Sequence, residues 1–261
     1  MNEVKTLTVQ KIILVDCHES GISGDMTIGA LIDLGADEVK VKQAMESVNE
    51  FVRGCKKVEV KVDEANSAGI TGKRVDVIIN EEYDYRTGTE IEEAVKLSAK
   101  NLKLQRNAVE FAVNSIKTLL KAEMKVHGEK IGKLRLYEVG SADTVADMIG
   151  VVVALNDLGF LKNTTIYSTP VAVGSGKIKF ADEVTTVPAP ATAEILKSRG
   201  FPIVRGPLKM ELTTPTGASI LVNLTGAFTK FSPSMKFKSV GCGLGSRKFR
   251  GAQNALRIGI C

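Results

Sequence analysis

The sequence predicts an α/β (α+β) protein in which helices cover a mixed sheet. Three patterns predict it. Near the N-terminus an apolar strand is followed by apolar residues at helical spacing, and a later stretch has valines at every second position. Predicted strands and helices then alternate through the remaining chain. The 261 residues suit one large domain or two modest ones. We place an N-terminal β-α-β-β module at 1–80 and a helical and mixed-sheet core at 81–261, with one continuous domain as the alternative.

The N-terminal module follows from short-range periodicity. Its predicted elements are a strand at 11–16 (KIILVD), a helix from Met26 to Leu34, a second helix at 37–49 and an antiparallel hairpin within 57–79. Gly35 is a typical C-cap for the first helix. Asn66, Gly69 and Gly72 interrupt the alternating valines, so we expect a long connection between the two strands of the hairpin.

Helices dominate the middle of the chain, and strands return towards its end. The predicted elements are a helix opened by a Thr89–Glu92 capping box and ending near 103, a helix ending near Gly128, a helix from Ser141 to Leu158, strands at 164–169 and 171–173, a helix after the VPAPAT turn (187–192), a strand near 208–212, a helix at 215–226, and strands at about 235–242 and 254–260.

Composition restricts the class of partner. The chain contains no Trp and no apolar run long enough for a membrane span, so we expect neither nucleic acid nor membrane as a partner. The four cysteines form no CxxC pair, which fits a reducing, cytoplasmic compartment. From Arg205 onward there are nine Lys or Arg and a single acid, Glu211. This excess favours an anionic partner such as a phosphorylated small molecule, although a solvated basic surface remains the alternative.

The first candidate site is the loop SGISGDM (20–26), which joins the first strand to a helix. Gly21 and Gly24 permit close backbone approach, and Ser23 and the free amides of the helix start suit an anion. The loop matches neither the dinucleotide fingerprint nor a Walker A motif. Asp25 could simply cap the helix, whereas Asp16 lies where α/β proteins gather catalytic residues.

The second candidate site lies in YEVGSADTVADMIG (137–150). Asp143 and Asp147 are four residues apart, so they share one helical face, where like charges repel each other. A bound cation would offset this repulsion, and Glu138 could complete a carboxylate cluster for a hard metal such as Mg²⁺ or Mn²⁺. The alternative is that these acids are solvated or cap the helix.

Two further sets of residues could contribute ligands. Cys17 and His18 combine a thiol with an imidazole, a pair that suits nickel or zinc, although a buried cysteine usually only packs. Thr214 and Thr216 stand at a predicted helix start and could bind phosphate oxygens. Arg247 follows the glycine-rich GCGLGS segment and adds a positive charge for the same purpose.

Five motifs in a fixed order resemble the LarC family. They are SGISGDMTIGALIDLG (20–35), YEVGSADTVADMIG (137–150), VPAPATAEIL (187–196), ELTTPTGASIL (211–221) and GCGLGSRKF (241–249). The likeness runs from about Ile12 to Ile260. It implies a nickel chelatase that inserts Ni²⁺ into pyridinium-3,5-bisthiocarboxylic acid mononucleotide to form the nickel pincer cofactor of lactate racemase. The reaction would consume CTP with Mg²⁺ or Mn²⁺, and we expect a homo-oligomer.

The chain also departs from the family pattern. Family members have histidines in the segments that match 81–88, 134–137 and 181–186, and this chain has none there. Family members also carry a C-terminal domain that resembles the CTP-binding half, and this chain is similar to the part before it, so we expect it to correspond to the first piece of family members encoded by two chains. Three functions therefore stay open: the N-terminal part of a split chelatase, a non-catalytic metal- or mononucleotide-binding protein, or a phosphate-dependent enzyme that reuses the scaffold.

Overall fold

A computed structural model describes residues 10–180, 183–229, 236–246 and 253–261. Seven α-helices lie within these residues: α1 (Gly24–Asp33), α2 (Glu38–Glu46), α3 (Gly88–Asn101), α4 (Arg106–His127), α5 (Ala142–Asp157), α6 (Pro190–Ser198) and α7 (Pro215–Leu224). A short 3-10 helix, Ser47–Glu50, extends α2. The predicted α/β class is confirmed.

The strands of the described residues are short, except in one hairpin. They are β1 (Lys11–Asp16), β2 (Cys55–Ser67), β3 (Ile70–Glu81), β4 (Arg86–Thr87), β5 (Arg135–Leu136), β6 (Thr164–Ser168), β7 (Val171–Ala172), β8 (Lys177–Phe180), β9 (Glu183–Thr186), β10 (Ile203–Val204), β11 (Ala227–Phe228), β12 (Ser239–Leu244) and β13 (Ala255–Ile260).

Seven strands form one mixed sheet in the order β11-β6-β1-β13-β12-β3-β2. β1 runs parallel to β6 and antiparallel to β13. The short pairs β4–β5, β7–β10 and β8–β9 lie outside this sheet. β13 and β12 lie between β1 and the β2–β3 hairpin in this sheet, so the strands of the module predicted at 1–80 share their sheet with later strands. Strands from both sides of residue 80 share the sheet, which favours the single continuous domain.

Helices α1 and α5 form the centre of the helical layer. α1 packs on β12, β13 and β3, and α5 packs on α1, α2 and α4. Two glycines of β12 allow this contact, because a Cβ on Gly241 would lie 2.1 Å from the Ala30 carbonyl oxygen and one on Gly243 would lie 1.7 Å from that of Met26. α5 is buried along most of its length, so its N-terminus is held firmly against the sheet.

Three local predictions were wrong in detail. The hairpin has no long connection, because β2 and β3 pair up to Ser67 and Ile70 and leave only Ala68 and Gly69 in the turn. The capping box of α3 is formed by Thr87 and Glu90, two residues before the predicted pair. No strand occurs at 208–212, where the described chain makes only isolated bridges such as Gly174 with Glu211.

The four cysteines are free thiols, as their spacing predicted. No helix among the described residues has the length and apolar character needed to cross a bilayer.

Candidate functional site

A cleft opens where the N-termini of α1 and α7 meet. Ile22 forms a parallel bridge with Thr213. The amide of Thr214 donates to the Ile22 carbonyl at 3.1 Å. Gly217 permits this approach, because a Cβ there would lie 2.2 Å from the Ile22 carbonyl oxygen. The structure therefore brings the 20–26 loop beside the start of α7, although about 190 residues separate them in the chain.

The cleft has the polar groups that bind a phosphate. It encloses about 170 Å³, and its lining includes Ser20, Ser23, Asp25, Thr214, Ser246 and Asn254. Thr214 accepts a hydrogen bond from the Gly217 amide at 3.1 Å and so caps α7. The Ser23 side chain does not cap α1. Two helix N-termini and several hydroxyls face one small volume and favour an anion, whereas the carboxyl groups of Asp25 and Glu211 in the same lining oppose one.

Three carboxylates, Asp25, Asp143 and Asp147, form an acidic group at the α1 end of the cleft. Asp25 lines the cleft and accepts a hydrogen bond from the Ser23 hydroxyl. Asp147 is only 6% exposed. Its Oδ1 atom has no hydrogen-bond partner among the described residues. A buried carboxylate oxygen without a donor is costly in free energy. The acidic group is therefore suited to receive a cation or a proton.

Electrostatics in the acidic group favours protonation. Burial raises the pKa of Asp143 to about 6, and the charges of Asp25 and Glu81 add to this shift. Burial, followed by the charges of Asp143 and Asp25, raises the pKa of Asp147 well above its usual range. Burial also raises the pKa of Asp25, although the Ser23 hydroxyl and the Met26 amide oppose that shift. A bound cation would reverse all three shifts.

The glycine at the start of α1 holds the acidic group together. A Cβ on Gly24 would lie 2.1 Å from Asp147 Oδ2. We expect Gly24→Ala to displace the Asp147 side chain and to lower the free energy of unfolding by about 1–3 kcal/mol. Urea denaturation measures this change. Gly226→Ala is the matched control, because nothing lies within 4 Å of its Cβ position. Equal stability of the two variants would contradict the proposed contact.

The residues Glu81 and Arg86 support the N-terminus of α5, and sequence patterns did not reveal them. Glu81 accepts hydrogen bonds from the Ser141 hydroxyl at 3.0 Å and the Ala142 amide at 3.2 Å. The Arg86 guanidinium, which is almost fully buried, donates to Glu81 at 2.8 Å and to the Gly140 carbonyl at 2.7 Å. A charged Arg in an apparent loop was the only sequence signal. The network fixes the turn from which Asp143 projects.

Three of the predicted site residues lie away from the acidic group. Asp16 forms an ion pair with Arg257 of β13 at 2.7 Å. Glu138 is exposed and makes no carboxylate contact with the acidic group, where Glu81 is the additional neighbour of Asp143. Thr216 is buried in the first turn of α7 and does not line the cleft. The structure therefore does not assemble these three with the other acids or with the phosphate-binding lining.

The glycines of the first loop approach protein atoms instead of leaving space for a ligand. A Cβ on Gly21 would lie 2.1 Å from the Leu212 carbonyl oxygen, and its φ of +68° also favours glycine. At Gly24 the approaching group is the Asp147 carboxylate. Both glycines therefore have a packing role, and the ligand-binding role predicted for them stays a prediction. Arg247, the last predicted cofactor ligand, lies outside the described residues.

Cys17 and His18 do not converge on a common point. Cys17 is fully buried, with its Sγ atom 3.4 Å from the Ser168 hydroxyl. Burial raises the pKa of its thiol to about 11, so the thiolate that a metal needs is disfavoured. His18 is exposed. Adjacent residues at the end of a strand point to opposite sides, which separates the two groups and favours the packing role of Cys17.

Among the described residues, no three His, Cys, Asp or Glu side chains are arranged to hold a metal ion directly. The acidic group offers oxygen donors only, a chemistry that suits a hard, hydrated ion such as Mg²⁺, which keeps several of its waters. Its buried, unpartnered Asp147 oxygen fits such an ion.

Comparison with known proteins identifies the family of the chain. A family model described as nickel insertion protein matches residues 13–260. The chain belongs to the nickel insertion protein family. This finding confirms the resemblance to LarC. No solved structure matches the chain.

Relatives within the nickel insertion family share about a third of their residues with this chain. A Geobacillus kaustophilus protein named pyridinium-3,5-bisthiocarboxylic acid mononucleotide nickel insertion protein is 34% identical over 260 residues, with 96% of this chain and 59% of the relative covered. A Clostridium kluyveri protein of the same name is 33% identical, with 95% and 61% covered. A Methanothermobacter thermautotrophicus protein, provisionally named a nickel insertion protein, is 38% identical, with 90% and 55% covered. The chain spans 55–61% of the length of these relatives.

Two segments in which this member of the nickel insertion family lacks the expected histidines meet in space. Arg86–Thr87 of β4 pairs with Arg135–Leu136 of β5 in antiparallel register. Tyr85 and Tyr137 flank this pair, with ring centroids 6.0 Å apart. The only histidine of the described residues nearby is His127, which borders the same region. Tyrosine and arginine side chains therefore occupy two of the segments in which the resemblance to LarC led us to expect histidines.

Proposed function

We propose that this chain acts as the N-terminal part of a split LarC-type nickel chelatase. Its reaction would insert nickel into pyridinium-3,5-bisthiocarboxylic acid mononucleotide, while a separate chain supplies the CTP-binding portion and its Mg²⁺ or Mn²⁺. One observation supports the proposal: in a chain of this family, the polar cleft at the starts of α1 and α7 and the acidic group both include Asp25.

The two ends of the cleft have complementary tasks in this proposal. The amides at the starts of α1 and α7, with the hydroxyls of Ser23 and Thr214, would hold the phosphate of the mononucleotide. Asp143 and Asp147 would hold the incoming hydrated ion through its waters. Asp143, with a pKa of about 6, is ionised at neutral pH. It is basic enough to accept the proton that nickel displaces from the substrate.

Nickel insertion can be tested directly with purified components. The protein is incubated with the metal-free mononucleotide, nickel and CTP, with and without a chain that carries the CTP-binding domain, and formation of the nickel-containing product is followed by mass spectrometry. We expect product only when both chains are present. If neither combination forms product under conditions in which a full-length relative is active, the proposal is refuted.

A second function is a binding protein that holds the mononucleotide or a metal without catalysis. The lack of a three-donor metal site among the described residues and the buried, weakly acidic Cys17 thiol favour the version that holds the mononucleotide. Calorimetry separates the two functions. Mononucleotide binding with no turnover in the presence of the CTP-domain chain would identify the binding protein, whereas turnover identifies the chelatase.

A further inference from the structure

A second, larger cavity lies beside the β4–β5 pair and the C-terminal end of α4. It encloses about 740 Å³, and its lining includes Tyr85, Thr87, His127, Lys133, Leu134 and Arg135. It shares no lining residue with the cleft between α1 and α7. Its volume is within the range of small-molecule sites, about 300–1,000 Å³.

Aromatic rings and a guanidinium lie at one side of this cavity. The Arg135 guanidinium stacks over the Tyr85 ring at 4.9 Å from its centroid. The Tyr137 ring lies 6.0 Å from that of Tyr85 and is tilted by 53°. Tyr137 is 62% exposed, an unusual exposure for a tyrosine beside two other planar groups. These surfaces suit a planar ring in the ligand.

The charged side chains of the cavity are mainly unpaired cations. Lys133 and Arg135 make no ion pair with any described residue. His127 is already engaged, with its Nε2 atom 3.3 Å from Glu123. Glu129 is the acid of the lining. Two free cations beside aromatic rings attract an anionic group on the ligand, and Arg and Lys bind phosphate well.

We propose that this cavity binds a nucleotide, with its base against Tyr85 and its phosphate against Lys133 and Arg135. An uncharged base fits better than a pyridinium ring, because the Arg135 guanidinium would repel a positively charged ring. The site is separate from the cleft that holds the mononucleotide in the proposed function. It therefore stands or fails independently of nickel insertion.

Isothermal titration calorimetry with three probes tests the ligand class. AMP carries both a base and a phosphate, adenosine carries only the base, and ribose 5-phosphate carries only the phosphate. We expect AMP to bind at least about tenfold more tightly than either fragment, because each half contributes separately. If ribose 5-phosphate binds as tightly as AMP, the cavity is a phosphate site without base recognition, and the proposal is overturned. A lack of AMP binding would also overturn it.

Surface variants then locate the bound nucleotide. Arg135→Gln changes an exposed side chain and Tyr85→Leu a partly exposed one, so the thermal midpoint should stay nearly unchanged while AMP binds about tenfold more weakly. The controls are Arg53→Gln and Tyr83→Leu, which alter a similar pair outside the cavity with the Arg53 guanidinium 4.7 Å from the Tyr83 ring. Unchanged AMP affinity in both cavity variants, or equal weakening in the controls, would overturn the proposal.

Discussion

Replacing Asp143 and Asp147 together by asparagine is expected to abolish nickel insertion and to stabilise the fold at neutral pH. Both carboxylates have raised pKa values because they are poorly solvated and repel one another, although only Asp147 is buried and Asp143 keeps an exposed edge. Asparagine keeps the size of the side chain and removes the charge. We expect at least about a hundredfold loss of activity, a typical effect of losing a positioned acid–base group. The free energy of unfolding should rise by roughly 1–3 kcal/mol, after allowance for the exposed edge of Asp143.

The pH dependence of stability gives a second readout of the same group. A carboxyl with a raised pKa binds its proton more tightly in the folded protein than in the unfolded chain. Its contribution to stability is therefore present below about pH 4 and is lost as the pH rises through the folded pKa, about 6 for Asp143. The wild-type protein should lose stability between pH 4 and 7, and the double variant should lose less.

Chemical denaturation at a series of pH values measures this difference. Asp157→Asn is the control, because Asp157 lies at the other end of α5, where the Lys40 side chain and the Asp37 amide lower its pKa. That variant should not gain stability at pH 7. A divalent ion that binds the acidic group should stabilise the wild type and leave the double variant unaffected. Full activity in the double variant would exclude both acids from the mechanism.

Arg86→Met is expected to be the most destabilising single change. The Arg86 side chain is 2% exposed, and it donates to Glu81, to the Gly140 carbonyl and, at 2.8 Å, to the Arg53 carbonyl. Methionine fills much of the volume but removes the donor to the Gly140 and Arg53 carbonyls and the cation that pairs with Glu81. Removal of one partner from a buried ion pair costs about 3–5 kcal/mol. Urea denaturation should show this loss, and the N-terminus of α5 should become less protected in hydrogen exchange.

Two further variants separate the ion pair from simple loss of a surface charge. Arg106→Met breaks an ion pair of the same length, 2.8 Å to Glu110, on a side chain that is 93% exposed. It should leave the free energy of unfolding nearly unchanged. Glu81→Gln added to Arg86→Met removes the unpaired buried charge and should restore part of the lost stability. If Arg86→Met and Arg106→Met were equally stable, Arg86 would not support α5 as described.

Several elements were predictable because their signals are local. β1, α4 with its Gly128 cap, and α5 with its Ser141 cap all follow from apolar spacing and capping residues. The prediction for the hairpin turn was wrong for the opposite reason. Glycines and an asparagine in 66–72 indicated a long connection, but β2 and β3 pair with each other almost to the turn, and β3 also pairs with β12 at Lys73. Tertiary contacts outweigh such weak local preferences.

Sequence patterns alone also indicated the segments of the candidate site, in the motifs at 20–26, 137–150 and 211–221. Their meeting depends on the sheet order and on the contact between Ile22 and Thr213. Only the tertiary structure could exclude Asp16 and Glu138 from the acidic group, and add Glu81 and Arg86 beside it. The physical reason lies in what each level of structure controls. Spacing along the chain determines which residues share a face of one element. Packing between distant elements determines which faces meet, and therefore which charged groups lose solvent together.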